Sequence, residues 1–68
     1  MAIGNAVQRG AFVNVYDENG RVIQTIPAGF EPDDGLKGYT ANTVNIKRGG
    51  FIYTYDERGR VLNTVSAR

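Results

Sequence analysis

The chain has 68 residues, a formal net charge of +1, and neither cysteine nor histidine. This length allows one domain at most, and so short a chain buries only about 60% of the surface it exposes when unfolded. Without cysteine there are no disulfides and no thiolate chemistry, and without histidine the commonest general base and metal ligand are missing. A net charge near zero gives no general attraction to nucleic acid or to acidic membranes.

The first residues of the chain lack the basic region and apolar run of a signal peptide, and apolar runs elsewhere span two or three residues. A membrane-spanning helix needs about 20 consecutive apolar residues. We therefore expect no contact with a membrane and, by default, a cytoplasmic protein. We also expect no cofactor and no metal site, because the acidic residues Glu31, Asp33 and Asp34 lack the ligand ladder of an EF-hand loop.

Three segments at each end of the chain are rich in β-branched and aromatic residues, which favour strands. In chain order the predicted strands are about 3–9, 12–16 and 22–26, then 43–48, 51–55 and 61–65. No window combines helical spacing with capping residues. The predicted fold is therefore all-β, with six short antiparallel strands arranged as two pseudo-symmetric three-stranded meanders in a small barrel or sandwich.

The two halves of this pattern are copies of one unit. Residues 6–29 and 45–68 align without gaps at an offset of 39, and 11 of the 24 aligned pairs are identical. A pair of aligned residues is called repeat mates below; Val13 and Ile52 are one such pair, which keeps its type. Self-similarity at a fixed spacing is typical of tandem supersecondary units.

We expect one domain over 1–68, with repeat 1 at about 2–29, a linker at 30–41 and repeat 2 at about 42–68. The linker is rich in glycine, proline and aspartate, which predicts a loop. A loop of about a dozen residues is long for a compact domain, which favours either a function or a crossover there.

A short turn is predicted between the second and third strands of each repeat. Its aspartate is suited to the first position of a type I turn, because the carboxylate can accept a hydrogen bond from the backbone two residues on. Its glycine can take a positive φ, and its arginine is expected to face the aspartate across the hairpin. The turn residues are Asp17, Gly20 and Arg21 in repeat 1, and Asp56, Gly59 and Arg60 in repeat 2.

These turns predict the register of the hairpins. The predicted pairs are Tyr16 with Val22, Asn14 with Gln24 and Phe12 with Ile26 in repeat 1, and Tyr55 with Val61, Tyr53 with Asn63 and Phe51 with Val65 in repeat 2. Alternation then leaves apolar side chains on both faces, whereas an isolated antiparallel sheet normally has one polar face. We therefore expect a homo-oligomer or a partner protein, the alternative being a monomeric barrel with scattered external aliphatic side chains.

The sequences VYDENGRV at 15–22 and YTYDERGRV at 53–61 resemble the YD repeat of Rhs and teneurin-type proteins, which reads Tyr-x-Tyr-Asp-x-x-Gly-Arg-hydrophobic. The resemblance implies a β-hairpin, and in that family such repeats stack into a large β-shell that encloses or presents cargo. The offset of 39 residues here is wider than in such arrays, and Asn14 stands where the first tyrosine of the motif would be. What the resemblance implies for this chain is the hairpin geometry.

Tyrosines and cations provide the candidate ligand-binding residues. Tyrosines on one strand face can form a stacking platform for sugars or bases, and a cation pair beside an aromatic strand is typical of small nucleic-acid-binding barrels. The alternative for the tyrosines is packing in the core or an interface. The candidates are Tyr16, Tyr39, Tyr53, Tyr55, Lys47 and Arg48.

We predict no catalytic residue. Ser66 is the only serine, and no histidine can activate it. The turn carboxylates are expected at exposed hairpin tips where nothing shifts their pKa. The expected function is that of a non-catalytic β-protein that self-associates as a structural or binding module. The alternatives are a module that binds glycan or nucleic acid through a tyrosine-rich face, and an enzyme whose active site is assembled between subunits.

Overall fold

The computed structural model describes residues 2–66, so residues 67 and 68 of the predicted repeat 2 lie outside the described part. Seven strands form two antiparallel sheets, each ordered as in the chain. Sheet 1 consists of β1 (Ile3–Arg9), β2 (Phe12–Asp17) and β3 (Val22–Pro27). Sheet 2 consists of β4 (Gly35–Tyr39), β5 (Thr43–Arg48), β6 (Phe51–Asp56) and β7 (Val61–Ser66). The prediction of an all-β fold is confirmed, and the described strands do not close into a barrel.

The prediction of six strands is wrong, because the linker contributes β4. This strand pairs antiparallel with β5, so that Leu36 lies opposite Ile46 and Tyr39 lies opposite Val44. Leu36 is half-buried and packs against the hydrophobic core. The linker composition predicts a loop because it contains two glycines and few β-branched residues, but pairing with β5 and burial of Leu36 stabilise a strand there.

The β2–β3 and β6–β7 hairpins each contain a β-bulge that the sequence did not predict. Tyr16 lies opposite Val22 as predicted, but Val15 pairs with Gln24, so that Ile23 is an extra residue in β3. In repeat 2, Leu62 is the extra residue of β7. The predicted pairs beyond the bulge are therefore wrong by one residue. The structure instead pairs Asn14 with Thr25, Phe12 with Pro27, Tyr53 with Thr64 and Phe51 with Ser66.

The bulge matters because a shift of one residue moves every later side chain to the other face of the strand. Ile26 consequently shares a face with Val13, and Val65 shares a face with Ile52. Alternation without the bulge predicts that Ile26 shares a face with Phe12 and Val65 with Phe51, and this prediction is wrong.

Buried side chains from both sheets form one hydrophobic cluster. We call the faces that contribute to it the inner faces, and the opposite faces the outer faces. The inner face of sheet 1 carries Ala6, Val13, Val15 and Ile26, and that of sheet 2 carries Val44, Ile46, Tyr53 and Tyr55. The outer face of sheet 1 carries Val7, Phe12, Asn14, Tyr16, Val22 and Thr25, and that of sheet 2 carries Asn45, Ile52, Thr54 and Val65.

The two repeats therefore turn opposite faces toward the core. Val13 is fully buried, whereas its repeat mate Ile52 lies on an outer face. Conversely, Tyr55 is buried and its repeat mate Tyr16 lies on an outer face. The two repeats thus do not pack against each other through equivalent faces.

The strands β1 and β4, which lie at the edges of the two sheets, are joined by hydrogen bonds. The Leu36 N–H donates to Oε1 of Gln8 (3.2 Å), and the Tyr39 hydroxyl donates to Oδ1 of Asn5 (3.4 Å). At the first residue of β1, the Ile3 N–H donates to the Ala41 carbonyl (2.7 Å). Within residues 2–66, no helix is long and apolar enough to cross a membrane.

Close approach of β1 to the first hairpin turn makes Gly4 sensitive to substitution. A Cβ at position 4 would lie 2.6 Å from the Asp17 carbonyl oxygen and 2.9 Å from the Glu18 Cα. We expect Gly4→Ala to lower the free energy of unfolding by about 1–3 kcal/mol, because backbone atoms must move. Gly38→Ala is the control, since its Cβ would meet nothing within 4 Å. Urea unfolding of both variants tests this, and equal stability would contradict it.

Candidate functional site

The four candidate tyrosines do not form one platform. Tyr55 is 6% exposed on the inner face of sheet 2, and Tyr53 is half-buried beside it, with ring centroids 6.2 Å apart. Tyr39 pairs with Val44 on the same sheet and is more exposed. Tyr16 lies on the outer face of sheet 1. The structure therefore brings Tyr53 and Tyr55 together and separates Tyr16 from them.

The candidate cations Lys47 and Arg48 are engaged within the chain. The Arg48 guanidinium lies 4.5 Å from the centre of the Tyr53 ring and donates from Nη1 to the Pro27 carbonyl (2.8 Å). This residue therefore connects sheet 2 to the end of β3. Lys47 Nζ lies 3.8 Å from Oδ1 of Asp34. Both contacts direct the positive charges toward protein groups.

Asp34 fixes the linker to the turn between β5 and β6, a role that the sequence analysis did not assign. Its side chain is 2% exposed. Oδ2 accepts from the Glu31 N–H (3.2 Å), and the carboxylate also accepts from the Gly49 N–H (3.3 Å to Oδ1). The Pro-Asp-Asp-Gly sequence of residues 32–35 indicates a turn, but nothing in it predicts the distant partner Gly49.

The two hairpin turns have the expected aspartate geometry. Oδ1 of Asp17 accepts hydrogen bonds from the backbone N–H groups of Asn19 and Arg21, both at 2.9 Å. Oδ1 of Asp56 accepts from Arg58 (2.9 Å) and Arg60 (2.8 Å) in the same way. Each arginine thus meets its aspartate mainly through its backbone N–H.

These hydrogen bonds shift the pKa of both turn carboxylates, contrary to the expectation from sequence. The Arg21 N–H is the largest cause that lowers the pKa of Asp17, with smaller help from the Asn19 N–H and the Arg21 charge, while burial opposes them. The pKa of Asp56 is lowered in the same way, first by the Arg60 N–H. The shift stabilises the turns, and its direction is opposite to the raised pKa that an acid–base catalyst at neutral pH needs.

An open groove of about 370 Å³ lies where the ends of β2 and β3 approach the linker. Phe12, Pro27 and Phe30 line it, with Arg48 and Asp34 also in its wall. Phe30 is 94% exposed. Sequence reasoning passed over Phe30, although an aromatic residue inside a polar linker is itself a signal of an exposed apolar contact.

Large apolar side chains are exposed over much of the molecule. Within residues 2–66, eight of them are at least 44% exposed: Phe12, Val22, Phe30, Tyr39, Phe51, Val61, Leu62 and Val65. Three of the eight lie on β7, whose six residues are all exposed. The candidate functional feature is therefore this exposed apolar surface rather than any enclosed cavity.

Comparison of the chain with protein-family models, with curated proteins and with solved structures gives no match. In the described part of the chain, no group of three or more acidic side chains is placed to hold a metal ion. The function proposed below therefore rests on the sequence and on the geometry of the chain.

Acid should weaken the hairpins through Asp17 and Asp56. Because the pKa of each is lower in the folded chain than in the unfolded one, their stabilising effect is present above the unfolded pKa and is lost as pH falls through the folded pKa. The Asp17→Asn/Asp56→Asn variant keeps an acceptor oxygen but does not titrate. We expect its Tm to fall less than that of the wild type between neutral pH and about pH 2. Parallel Tm curves would contradict this.

Arg48 should stabilise the contact between the sheets. Arg48→Met keeps much of the aliphatic stem but removes the hydrogen bond to Pro27 and the contact with the Tyr53 ring. We expect a loss of about 1–2 kcal/mol in the free energy of unfolding. Arg9→Met, at the repeat mate on the outer face of sheet 1, is the control. An equal loss in both variants in urea unfolding would refute the role of Arg48.

Proposed function

We propose that the chain is a non-catalytic structural module that self-associates. The observation that supports this is the set of exposed apolar side chains. Phe12 and Val22 lie on the outer face of sheet 1 and Val65 on the outer face of sheet 2, while the others lie elsewhere on β7, in the linker and at the uncovered margin of the inner face of sheet 2. Single exposed aliphatic residues are normal on a protein surface, but contiguous apolar patches mark interaction sites. A chain of 68 residues has a small core. The apolar area that association covers is therefore a large fraction of all the apolar area that the chain buries.

On each outer face, exposed apolar side chains lie opposite another apolar side chain on the neighbouring strand, and we call each such group a patch. On the outer face of sheet 1, Val22 is 52% exposed and lies directly opposite the half-buried Tyr16, with Phe12 on the same face. On the outer face of sheet 2, Val65 is 48% exposed and lies opposite Ile52. At about 25 cal/mol per Å² of apolar surface removed from water, covering either patch contributes several kcal/mol to association.

In this proposal the folded unit is a two-layer sandwich. Its layers are two pseudo-symmetric meanders, and β4 extends the second of them. The alternative of a glycan- or nucleic-acid-binding tyrosine face has less support. Tyr53 and Tyr55 pack toward the core, and Lys47 and Arg48 already contact protein groups.

Self-association should appear as a dependence of mass on concentration. We expect sedimentation equilibrium to show particles heavier than the 7.4 kDa chain, with a fraction that rises with protein concentration. Tm should rise over the same range, because association stabilises the folded state by mass action. A 7.4 kDa particle at every concentration, with a constant Tm, would refute the proposed function.

A further inference from the structure

The inner contact of this chain shows how one repeat covers the other. The inner face of sheet 1 packs with the inner face of sheet 2 in one cluster. Because the repeats present opposite faces, the outer face of sheet 2 is the repeat equivalent of the inner face of sheet 1. In the same way, the outer face of sheet 1 is the repeat equivalent of the inner face of sheet 2. The two free surfaces are therefore equivalent to two surfaces that already pack together.

We infer that the outer face of sheet 2 docks on the outer face of sheet 1 of a second copy, repeating the packing found between the inner faces. This inference rests on the proposed function and specifies its partner and its geometry. The contact joins two different surfaces, so a docked pair of copies keeps one free face of each kind. Such head-to-tail contacts build either a closed ring or an open stack.

The free faces keep part of the apolar character of their buried equivalents. Val13 and Ile26 on the inner face of sheet 1 correspond to Ile52 and Val65 on the outer face of sheet 2. Tyr55 on the inner face of sheet 2 corresponds to Tyr16 on the outer face of sheet 1. At these three positions the docked contact thus joins residues of the type that already meets inside the chain.

Two pairs of polar side chains on the free faces are already hydrogen-bonded within their own sheet. Thr54 donates from Oγ1 to Oδ1 of Asn45 (2.7 Å), and Thr25 donates to Oδ1 of Asn14 (3.1 Å). Lys47, which alternates onto the same side as Ile52, lies within 3.8 Å of the Asp34 carboxylate. Polar groups that keep their partners cost less to bury than unpaired ones. They also make the docked contact more polar than the inner one, so we expect reversible association.

The dimensions of the molecule fit such a contact. Its extents are 35 × 23 × 15 Å, so a sheet face is on the scale of the ~800 Å² that each partner buries in a standard stable interface. Packed sheets lie about 10 Å apart, so each added copy lengthens a stack by about 20 Å.

Two variants with a lysine on one face each provide the test. Val65→Lys changes the outer face of sheet 2, and Phe12→Lys changes the outer face of sheet 1. Both residues are about half exposed, so the fold tolerates the change, which circular dichroism checks. We expect each variant alone to lose self-association in sedimentation velocity. When the two are mixed, one intact face of each kind remains, and we expect a 1:1 dimer and no larger species.

Matched controls lie on the inner side of sheet 2. Val61→Lys changes a residue on β7 that is 50% exposed but lies opposite Tyr55, on the other face from Val65. Phe51→Lys changes the repeat mate of Phe12, which is 47% exposed. We expect both controls to associate like the wild type. Association through the open edge of β7 would instead respond to Val61→Lys and Val65→Lys alike, and would not respond to Phe12→Lys.

The outcomes separate this inference from the proposed function. If the wild type associates and only one of the two variants loses association, the contact is between like faces and the inference is wrong. It is also wrong if a control variant loses association or if the mixture stays monomeric. In each of these cases the proposed function stands. A wild type that is monomeric throughout refutes both.

Discussion

The packing of one sheet on the other decides the rest of this structure. The four largest fully buried side chains are two from each sheet: Val13 and Val15 from sheet 1, and Val44 and Ile46 from sheet 2. The two repeats each have apolar residues on both faces, but one contact can cover only one face of each. Because the covered faces are not repeat equivalents, the uncovered ones are not equivalent either. The two outer faces of the molecule therefore differ from each other in the residues that they present.

The sequence differences between the repeats follow this arrangement. At three pairs of repeat mates, and at one further pair that lies just before the aligned segments at the same offset of 39, the member that faces the core is apolar or aromatic and the outward member is polar. These pairs are Ala6 and Asn45, Val15 and Thr54, Val44 and Asn5, and Tyr53 and Asn14. Burial of the apolar member stabilises the core, whereas the polar member limits the apolar surface left outside. The pairs that stay apolar in both repeats maintain the outer patches on which the proposed association depends.

Local chemistry in the sequence was enough to predict the hairpins, and long-range packing was not predictable from it. Strand propensity and the Asp-x-x-Gly turns predicted strands β1 to β3 and β5 to β7 close to their observed bounds. The bulges at Ile23 and Leu62 have no distinct local signal, and they moved Ile26 and Val65 to the other face. β4 forms because it pairs with β5, and the composition of β4 itself does not predict a strand. The sequence pattern also does not indicate which face of each hairpin packs in the core, because alternation gives each hairpin two apolar faces.

Thiol labelling tests the central claim most directly, because the chain has no cysteine of its own. Single cysteines are placed at the repeat mates Ile26 and Val65, and at Val44 and Asn5, which have the same offset of 39. Each variant is labelled at concentrations where the chain is monomeric. Opposite packing of the repeats predicts slow labelling at positions 26 and 44 and fast labelling at 65 and 5, following their burial. Equal protection of positions 26 and 65 would mean that both repeats bury the same face, and would contradict the account.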